Sequence, residues 1–177
     1  MKQAFGPNLA VLAAAALLTG AALAHDGIET RLKGYQEVPA VSSAAKGKFS
    51  ARINDKGAMA TIDYELSYSG LEGDVRQAHI HFGQRSVNGG ISVWLCGTNL
   101  STPAFPGPAG TPSCPGPREG TVTGTLLAAN VIGPAGQGID PGEFAELLAA
   151  IKAGVAYANV HTTKFPGGEI RGQLSDD

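Results

Sequence analysis

The chain is poor in several residue types that often carry function. It has four histidines, two cysteines and one tryptophan, and aromatic residues make up only 6% of it. Thirteen basic and fifteen acidic residues leave a net charge of −2, so we expect no binding to nucleic acid or to an anionic membrane surface. No Gly-x-Ser-x-Gly elbow, P-loop or Gly-x-Gly-x-x-Gly helix opening is present, which argues against serine hydrolases and nucleotide-binding folds.

The first 24 residues have the pattern of a cleavable export signal. Lys2 is their only charged residue, Leu9–Leu18 form a short apolar run, and Ala22-Leu23-Ala24 is a small-x-small cleavage pattern. The alternative is an uncleaved anchor, but the run is shorter than the roughly 20 apolar residues of a membrane span. We therefore expect an exported protein, periplasmic or secreted, with a signal peptide at 1–24, a single domain at 25–177 and no integral membrane segment after cleavage.

The two cysteines, Cys96 and Cys114, are predicted to form one disulfide, which is the usual state of a cysteine pair in an exported chain. Such a bond would close a loop of seventeen residues within the Pro- and Gly-rich stretch at 97–120 and stabilise the fold by about 3 kcal/mol. The alternative is a metal-bound or reactive thiol pair, for which the sequence offers no Cys-x-x-Cys spacing.

Short alternating runs predict strands rather than a helix bundle. Residues 48–53 and 58–68 alternate apolar and polar on either side of the turn at 54–57, which is typical of a β-hairpin. Further runs of this kind, including 121–131, bring the expected total to about seven or eight short strands. This pattern predicts an all-β fold, either a Greek-key β-sandwich or a flattened barrel.

One short α-helix is predicted near the C-terminal end. Asp140 is a natural N-cap, Pro141 occupies the first helical position, and Glu143 completes an Asp-x-x-Glu capping box. Four apolar residues then recur at helical spacing: Phe144, Leu147, Leu148 and Ile151. We expect this helix to cover one end of the sheet.

Three histidines lie in predicted strands and on their less apolar faces. Because side chains alternate along a strand, His79 and His81 share one face, and Asn159 shares a face with His161. Imidazole nitrogens are good ligands for copper and zinc, so the three rings predict a transition-metal site with an open position. The alternative is a structural network, in which the rings bond Glu169, Asn159 or backbone carbonyls.

A second copper ligand set is conceivable at the mature N-terminus. If cleavage follows Ala24, His25 becomes the first residue, and its free amine and ring could chelate copper together.

A polar face is also predicted near the C-terminus, where Glu169, Arg171 and Gln173 alternate with apolar residues. An ion pair between Arg171 and a carboxylate, either Glu169 or Glu37, would hold the strand register. Asp63 and Glu65 also share a strand face. They could act as a carboxylate pair in glycoside chemistry, but a solvated face is the commoner reason for that pattern.

Three sequence blocks together resemble the chordin-type (CHRD) domain. They are Leu32-Lys33-Gly34-Tyr35-Gln36-Glu37-Val38-Pro39, Ala78-His79-Ile80-His81-Phe82-Gly83, and the stretch from Tyr157 through Pro166-Gly167-Gly168-Glu169-Ile170-Arg171-Gly172-Gln173-Leu174. The resemblance implies a β-sandwich, either immunoglobulin-like or superoxide-dismutase-like, in an exported protein. It supplies no catalytic residue. The recurring polar positions that it implies are Glu37, His79, His81, His161, Glu169 and Arg171.

A shorter stretch, Gly70 to Gly83, is similar to the copper-ligand strand of copper–zinc superoxide dismutase. The zinc loop of that enzyme, with its histidines and aspartate, has no counterpart here, so the likeness implies a shared architecture or a single metal position rather than dismutase activity.

These observations lead to three functional hypotheses. The first is a non-enzymatic binding module for an unknown protein or small ligand, with a copper or zinc position at His79, His81 and His161 and with Glu169 or Asn159 orienting a ring. The second is a copper- or zinc-dependent enzyme that uses the open position for redox or hydrolytic chemistry. The third is an extracellular adhesion or structural module without a metal.

Overall fold

The computed structural model describes residue 1 and residues 27–55, 59–99 and 104–175. Apart from residue 1, the predicted signal peptide lies outside the described residues, and so does His25. Within them are eight strands: β1 (Gly27–Lys33), β2 (Lys46–Asn54), β3 (Thr61–Ser69), β4 (Val75–Phe82), β5 (Gly90–Gly97), β6 (Gly120–Leu126), β7 (Ala156–Thr162) and β8 (Ile170–Leu174). A single α-helix, α1 (Phe144–Lys152), is also present in this part of the chain.

The eight strands form one antiparallel sheet in the order β5-β4-β7-β8-β1-β2-β3-β6. The sheet curves until it is nearly barrel-shaped, and Cα atoms of its two edge strands, β5 and β6, come within 8 Å of each other. The all-β prediction is therefore confirmed, whereas the two-sheet Greek-key sandwich is not, because the strands hydrogen-bond in a single sheet.

The β2–β3 hairpin shows why these residues form strands. Its register runs from Lys46 opposite Ser69 to Asn54 opposite Thr61 without interruption. Every second side chain, such as Phe49 and Leu66, is buried inside the curved sheet, and the side chains between them are exposed or half-buried. The alternation read from the sequence is thus the alternation between core and solvent.

Two predicted elements have different boundaries in the structure. The strand predicted at 121–131 stops at Leu126, after which residues 128–130 form a short 3₁₀ turn. The helix begins at Phe144 rather than directly after Asp140. Glu143 Oε2 accepts a hydrogen bond from the Asp140 backbone N–H at 2.7 Å, so half of the predicted capping box forms across a turn instead of inside the helix.

Helix α1 packs its apolar stripe into the core, with Leu147 and Ile151 almost fully buried. The predicted disulfide between Cys96 and Cys114 is present, and it ties the end of β5 to the excursion that precedes β6. Among the described residues, no helix is both long and apolar enough to cross a membrane.

The outward side of the sheet differs between its two halves. In β2 and β3 the outward positions are open to water or half-buried, whereas every residue of β7 and β8 is buried. Segment 83–90 folds back over β7 and β8, where Gln173 Nε2 donates to Gly83 O and Arg171 donates to Gln84 O and Val87 O. We call the covered outward side of β4, β7 and β8 the polar face. It carries His79, His81, Tyr157, Asn159, His161, Arg171 and Gln173.

Candidate metal centre

The three strand histidines meet on the polar face. Strands β4 and β7 are neighbours, with His79 opposite Asn159 and Gln77 opposite His161, so His161 lies diagonally across from His79. The ring centroids are 5.0 Å apart for His79 and His161, 5.3 Å for His79 and His81, and 6.0 Å for His81 and His161. Each ring offers one nitrogen, and these nitrogens all lie within 4.8 Å of one another.

The spacing of the closest pair suits a shared ion. His79 Nδ1 lies 3.2 Å from His161 Nε2. Two nitrogens bound at about 2.0–2.1 Å to one tetrahedral ion lie about 3.3 Å apart. Because His161 Nδ1 donates to Pro166 O, its Nε2 accepts this hydrogen bond from His79 Nδ1. With the His79 proton on Nε2 instead, both facing nitrogens could bind one ion.

Backbone carbonyls orient two of the rings. His81 Nδ1 donates to Gly89 O and His161 Nδ1 donates to Pro166 O, each at 3.0 Å. Because a carbonyl oxygen only accepts, each Nδ1 carries the proton and each Nε2 keeps the lone pair that a metal needs. His81 Nε2 and His79 Nε2 are buried and have no hydrogen-bond partner. Backbone carbonyls therefore orient the rings of His81 and His161 through Nδ1, and the carboxylate of Glu169 has its hydrogen-bond partners elsewhere.

Burial keeps the three imidazoles neutral. Desolvation, followed by the charges of His161 and His81, lowers the pKa of His79 to about 2. Desolvation also lowers the pKa of His161 to about 4 and holds the pKa of His81 below its usual value. Neutral imidazole is the form that binds metal ions, so none of the three rings has to give up a positive charge at neutral pH before it binds one.

Aromatic rings hold the cluster on two sides. Trp94, on β5, meets His79 edge-on with the ring centroids 4.3 Å apart. Tyr157 stacks on His81 at 4.8 Å with the planes 2° from parallel, and the Arg171 guanidinium lies 3.3 Å from the Tyr157 ring centroid. The Tyr157 hydroxyl accepts a hydrogen bond from the Gly89 N–H. These contacts fix the ring of His81 between the sheet and segment 83–90.

The predicted ion pair of Arg171 does not form. Arg171 is 1% exposed, and its guanidinium donates to Gln84 O, Val87 O and Asn88 Oδ1. The carboxylate of Glu169 accepts from Ser43 Oγ, the Glu72 N–H and Thr162 Oγ1, each at 2.8 Å, so it joins two loops to the end of β7 rather than orienting a histidine. Among the described residues, the ion pairs are all at the surface and involve neither Glu37 nor Glu169 with Arg171.

Glu37 lies buried near the histidines. A Cβ at Gly168 would come within 2.6 Å of Glu37 Oε1, so the glycine makes room for the carboxyl group. Desolvation raises the pKa of Glu37 to about 7, although Arg171 and a hydrogen bond from Asn159 lower it. Although desolvation lowers the pKa of His81, Asn159 raises it, so this residue links Glu37 to the cluster. Glu37 Oε1 and Asn159 Oδ1 are buried without a hydrogen-bond partner.

Two contributors to the site were missed by the sequence analysis. Tyr157 shares the spacing of Asn159 and His161, so the period of two along β7 could have found it. Trp94 is on a different strand, and only the β4–β5 pairing, which brings it opposite His79, places it at the site.

Asp63 and Glu65 lie on the exposed side of β3. Asp63 accepts hydrogen bonds from Asn54 Nδ2 and Thr125 Oγ1, both on neighbouring strands. These contacts support the solvated-face interpretation of the carboxylate pair.

The model of the CHRD domain matches residues 28–174, nearly the whole chain. The chain belongs to the CHRD-domain family. No curated protein and no solved structure matches it. What the CHRD domain does in this protein therefore has to be argued from the polar face itself.

Proposed function

We propose that this CHRD-domain protein is an exported, non-enzymatic binding module in which His79, His81 and His161 hold one copper or zinc ion. The observation that carries the proposal is the convergence of three neutral ring nitrogens within 4.8 Å. An all-imidazole set suits both metals, and three protein ligands leave one position for a further ligand. The Cys96–Cys114 disulfide is consistent with export, since such bonds persist in oxidising compartments.

The buried orphan atoms support a ligand at this place. A buried nitrogen without a partner loses its hydrogen bonds to water at a cost of about 1–3 kcal/mol, and the cluster contains two such atoms, His79 Nε2 and His81 Nε2. A metal ion would take up the lone pairs of His81 Nε2 and His161 Nε2 and, with the His79 proton on Nε2, that of His79 Nδ1. The carbonyls of Gly89 and Pro166 then hold the N–H groups of His81 and His161, which raises the basicity of these two ligands.

The chain provides its own reporter for this test. Trp94 is the only tryptophan and its ring contacts His79, so copper(II) at the cluster should quench its fluorescence. We expect the purified chain to bind one equivalent of copper or zinc, measured by elemental analysis and by titration. Quenching should saturate at that same equivalent.

Two variants separate the possible sites. His81→Gln should weaken binding by at least about tenfold, because one of three ligands is lost. His25→Ala should leave the Trp94 signal unchanged. If His25→Ala loses copper and His81→Gln does not, the ion is bound at the N-terminus. If the parent protein binds no stoichiometric metal, the structural or adhesion module is the remaining hypothesis.

A metal-dependent enzyme is the second candidate, and Glu37 is the observation in its favour. Its buried carboxyl group, with an unpartnered Oε1 and a pKa near neutrality, could take up or release a proton near the cluster. Assays of the metal-loaded chain with superoxide and peroxide test this. Turnover that is abolished in Glu37→Gln while metal content stays constant would favour the enzyme over the binding module.

A further inference from the structure

The exposed half of the sheet carries a block of positive charge that the net charge of the chain conceals. The register places Lys33 opposite Lys46 and Arg31 opposite Lys48, so four cations point outward from two neighbouring strands. Like charges in directly opposite cross-strand positions destabilise a sheet. Lys48 pairs with Glu29 at 2.9 Å, but Arg31, Lys33 and Lys46 are in no ion pair among the described residues.

Charge is segregated along this face. On β3, Ser69 and Ser67 lie opposite Lys46 and Lys48, and on β6, Thr121 lies opposite Ser67. All three of these neighbours carry hydroxyl groups. Within the strands, the acidic residues begin two positions further along, where Glu29 and Glu65 lie on either side of Ser50. One end of the outward face is therefore cationic and rich in hydroxyl groups, and this end we call the basic block.

The basic block is also concave. A groove of about 590 Å³ runs over it, lined by Arg31, Lys46 and Lys48 together with the hydroxyl residues of β3 and β6, with Glu119 as its acidic member. A second hollow of about 380 Å³ shares Arg31 and adds Lys33 and Arg85, with Glu29 as its acidic member. The two hollows adjoin at Arg31, so cationic side chains line both of them.

We propose that the basic block binds an anionic polysaccharide, meaning a chain of sugars that carry sulfate or carboxylate groups. The cations match the anionic groups, and the serine and threonine hydroxyls can bond both these groups and sugar hydroxyls. The outward side chains of the block include no large apolar group, so it offers neither an anchor pocket for a peptide nor a wedge for a lipid bilayer. This inference does not depend on metal binding at the polar face.

Two charge-reversal variants of equal net charge test the proposal. Lys46→Glu lies inside the basic block, whereas Arg52→Glu lies on the same strand beyond the acidic row, opposite Asp63. Binding of the full chain to dextran sulfate is measured across a salt series, with neutral dextran of equal length as the probe control. We expect the dissociation constant for dextran sulfate to rise at least about tenfold in Lys46→Glu and to change less than about twofold in Arg52→Glu, since polyanion affinity depends on the cations in contact.

Several outcomes would overturn the proposal. One is a parent protein that does not bind dextran sulfate at low salt. A second is an equal loss of binding in both variants, which would mean that only overall charge matters. A third is binding to vesicles of anionic phospholipid that exceeds binding to dextran sulfate. Circular dichroism of both variants shows whether each is folded.

Discussion

The outward side of the sheet is open to water in one half and buried in the other. On β1, β2, β3 and β6 this side is exposed or half-buried. The ion pair that the described residues form there, between Lys48 and Glu29, is itself exposed to water. On β4, β7 and β8 the outward side is largely buried, in part under segment 83–90, and several of its polar side chains bond defined backbone carbonyls. The ladders are the same antiparallel kind in both halves, so the difference comes from a connection that folds back. Burial makes the polar groups on the covered side depend on partners within the protein, because water cannot replace these partners.

The largest expected difference between the halves concerns arginine. Arg171→Met on the polar face should lower the free energy of unfolding by about 3 kcal/mol, because Gln84 O and Val87 O would lose their buried donor. Arg52→Met on the exposed half should change it by less than about 0.5 kcal/mol. Urea denaturation of both variants measures the contrast. Equal losses would show that the cover over the polar face adds no stability through Arg171.

Metal is expected to stabilise the covered half. At a free copper or zinc concentration of 100 times the dissociation constant, the free energy of unfolding should rise by about 2.7 kcal/mol, and a chelator should reverse the rise. His81→Gln should show almost none of this shift, whereas Arg52→Glu on the exposed half should show all of it. A full shift in His81→Gln would contradict the proposed ligand set.

Because of Glu37, the free energy of unfolding should depend on pH. Its pKa is raised to about 7 in the folded protein, so the folded state holds this proton more tightly than the unfolded state does. Its stabilising contribution is complete below pH 4.5 and is lost as the pH rises through 7. The stability of Glu37→Gln relative to the parent should therefore increase by about 2 kcal/mol between pH 5 and pH 8.

Denaturation curves at the two pH values measure this difference directly. Both proteins contain the same histidines, whose own titration cancels in the comparison. A constant difference between pH 5 and pH 8 would show that Glu37 is ionised in the folded protein over this whole range.

The smallest effect is expected on the exposed half. Lys46→Glu places opposite charges across from each other at the Lys33 position and should stabilise the fold by about 0.5 kcal/mol at low salt. Arg52→Glu places a carboxylate opposite Asp63 and should destabilise it by a similar amount. Both effects should shrink in about 1 M salt, because these charges are exposed. Thermal or urea denaturation at the two salt concentrations checks the signs.

The candidate site could be predicted from the sequence only in part. Alternation along β4 and β7 identified the shared faces of His79, His81, Asn159 and His161, because a period of two depends on local geometry alone. The partners of Arg171 and Glu169 could not be found in this way. Arg171 reaches carbonyls that lie 84 and 87 positions away along the chain, and Glu169 reaches Ser43 at a separation of 126. A local pattern contains no information about such contacts.

By itself, the sequence determined every strand except β1, most of the strand boundaries, the disulfide pairing and the division of the predicted strands into an apolar and a polar side. Backbone periodicity and turn residues are local, because each depends on only a few neighbouring residues. The disulfide pairing follows from the count, since the chain has only two cysteines. Only the tertiary structure decided that eight strands close into one curved sheet, that His161 lies beside His79, and that segment 83–90 buries one half of the outward side. These features depend on which strands become neighbours and where a loop comes to rest, and that is set by packing across the whole chain.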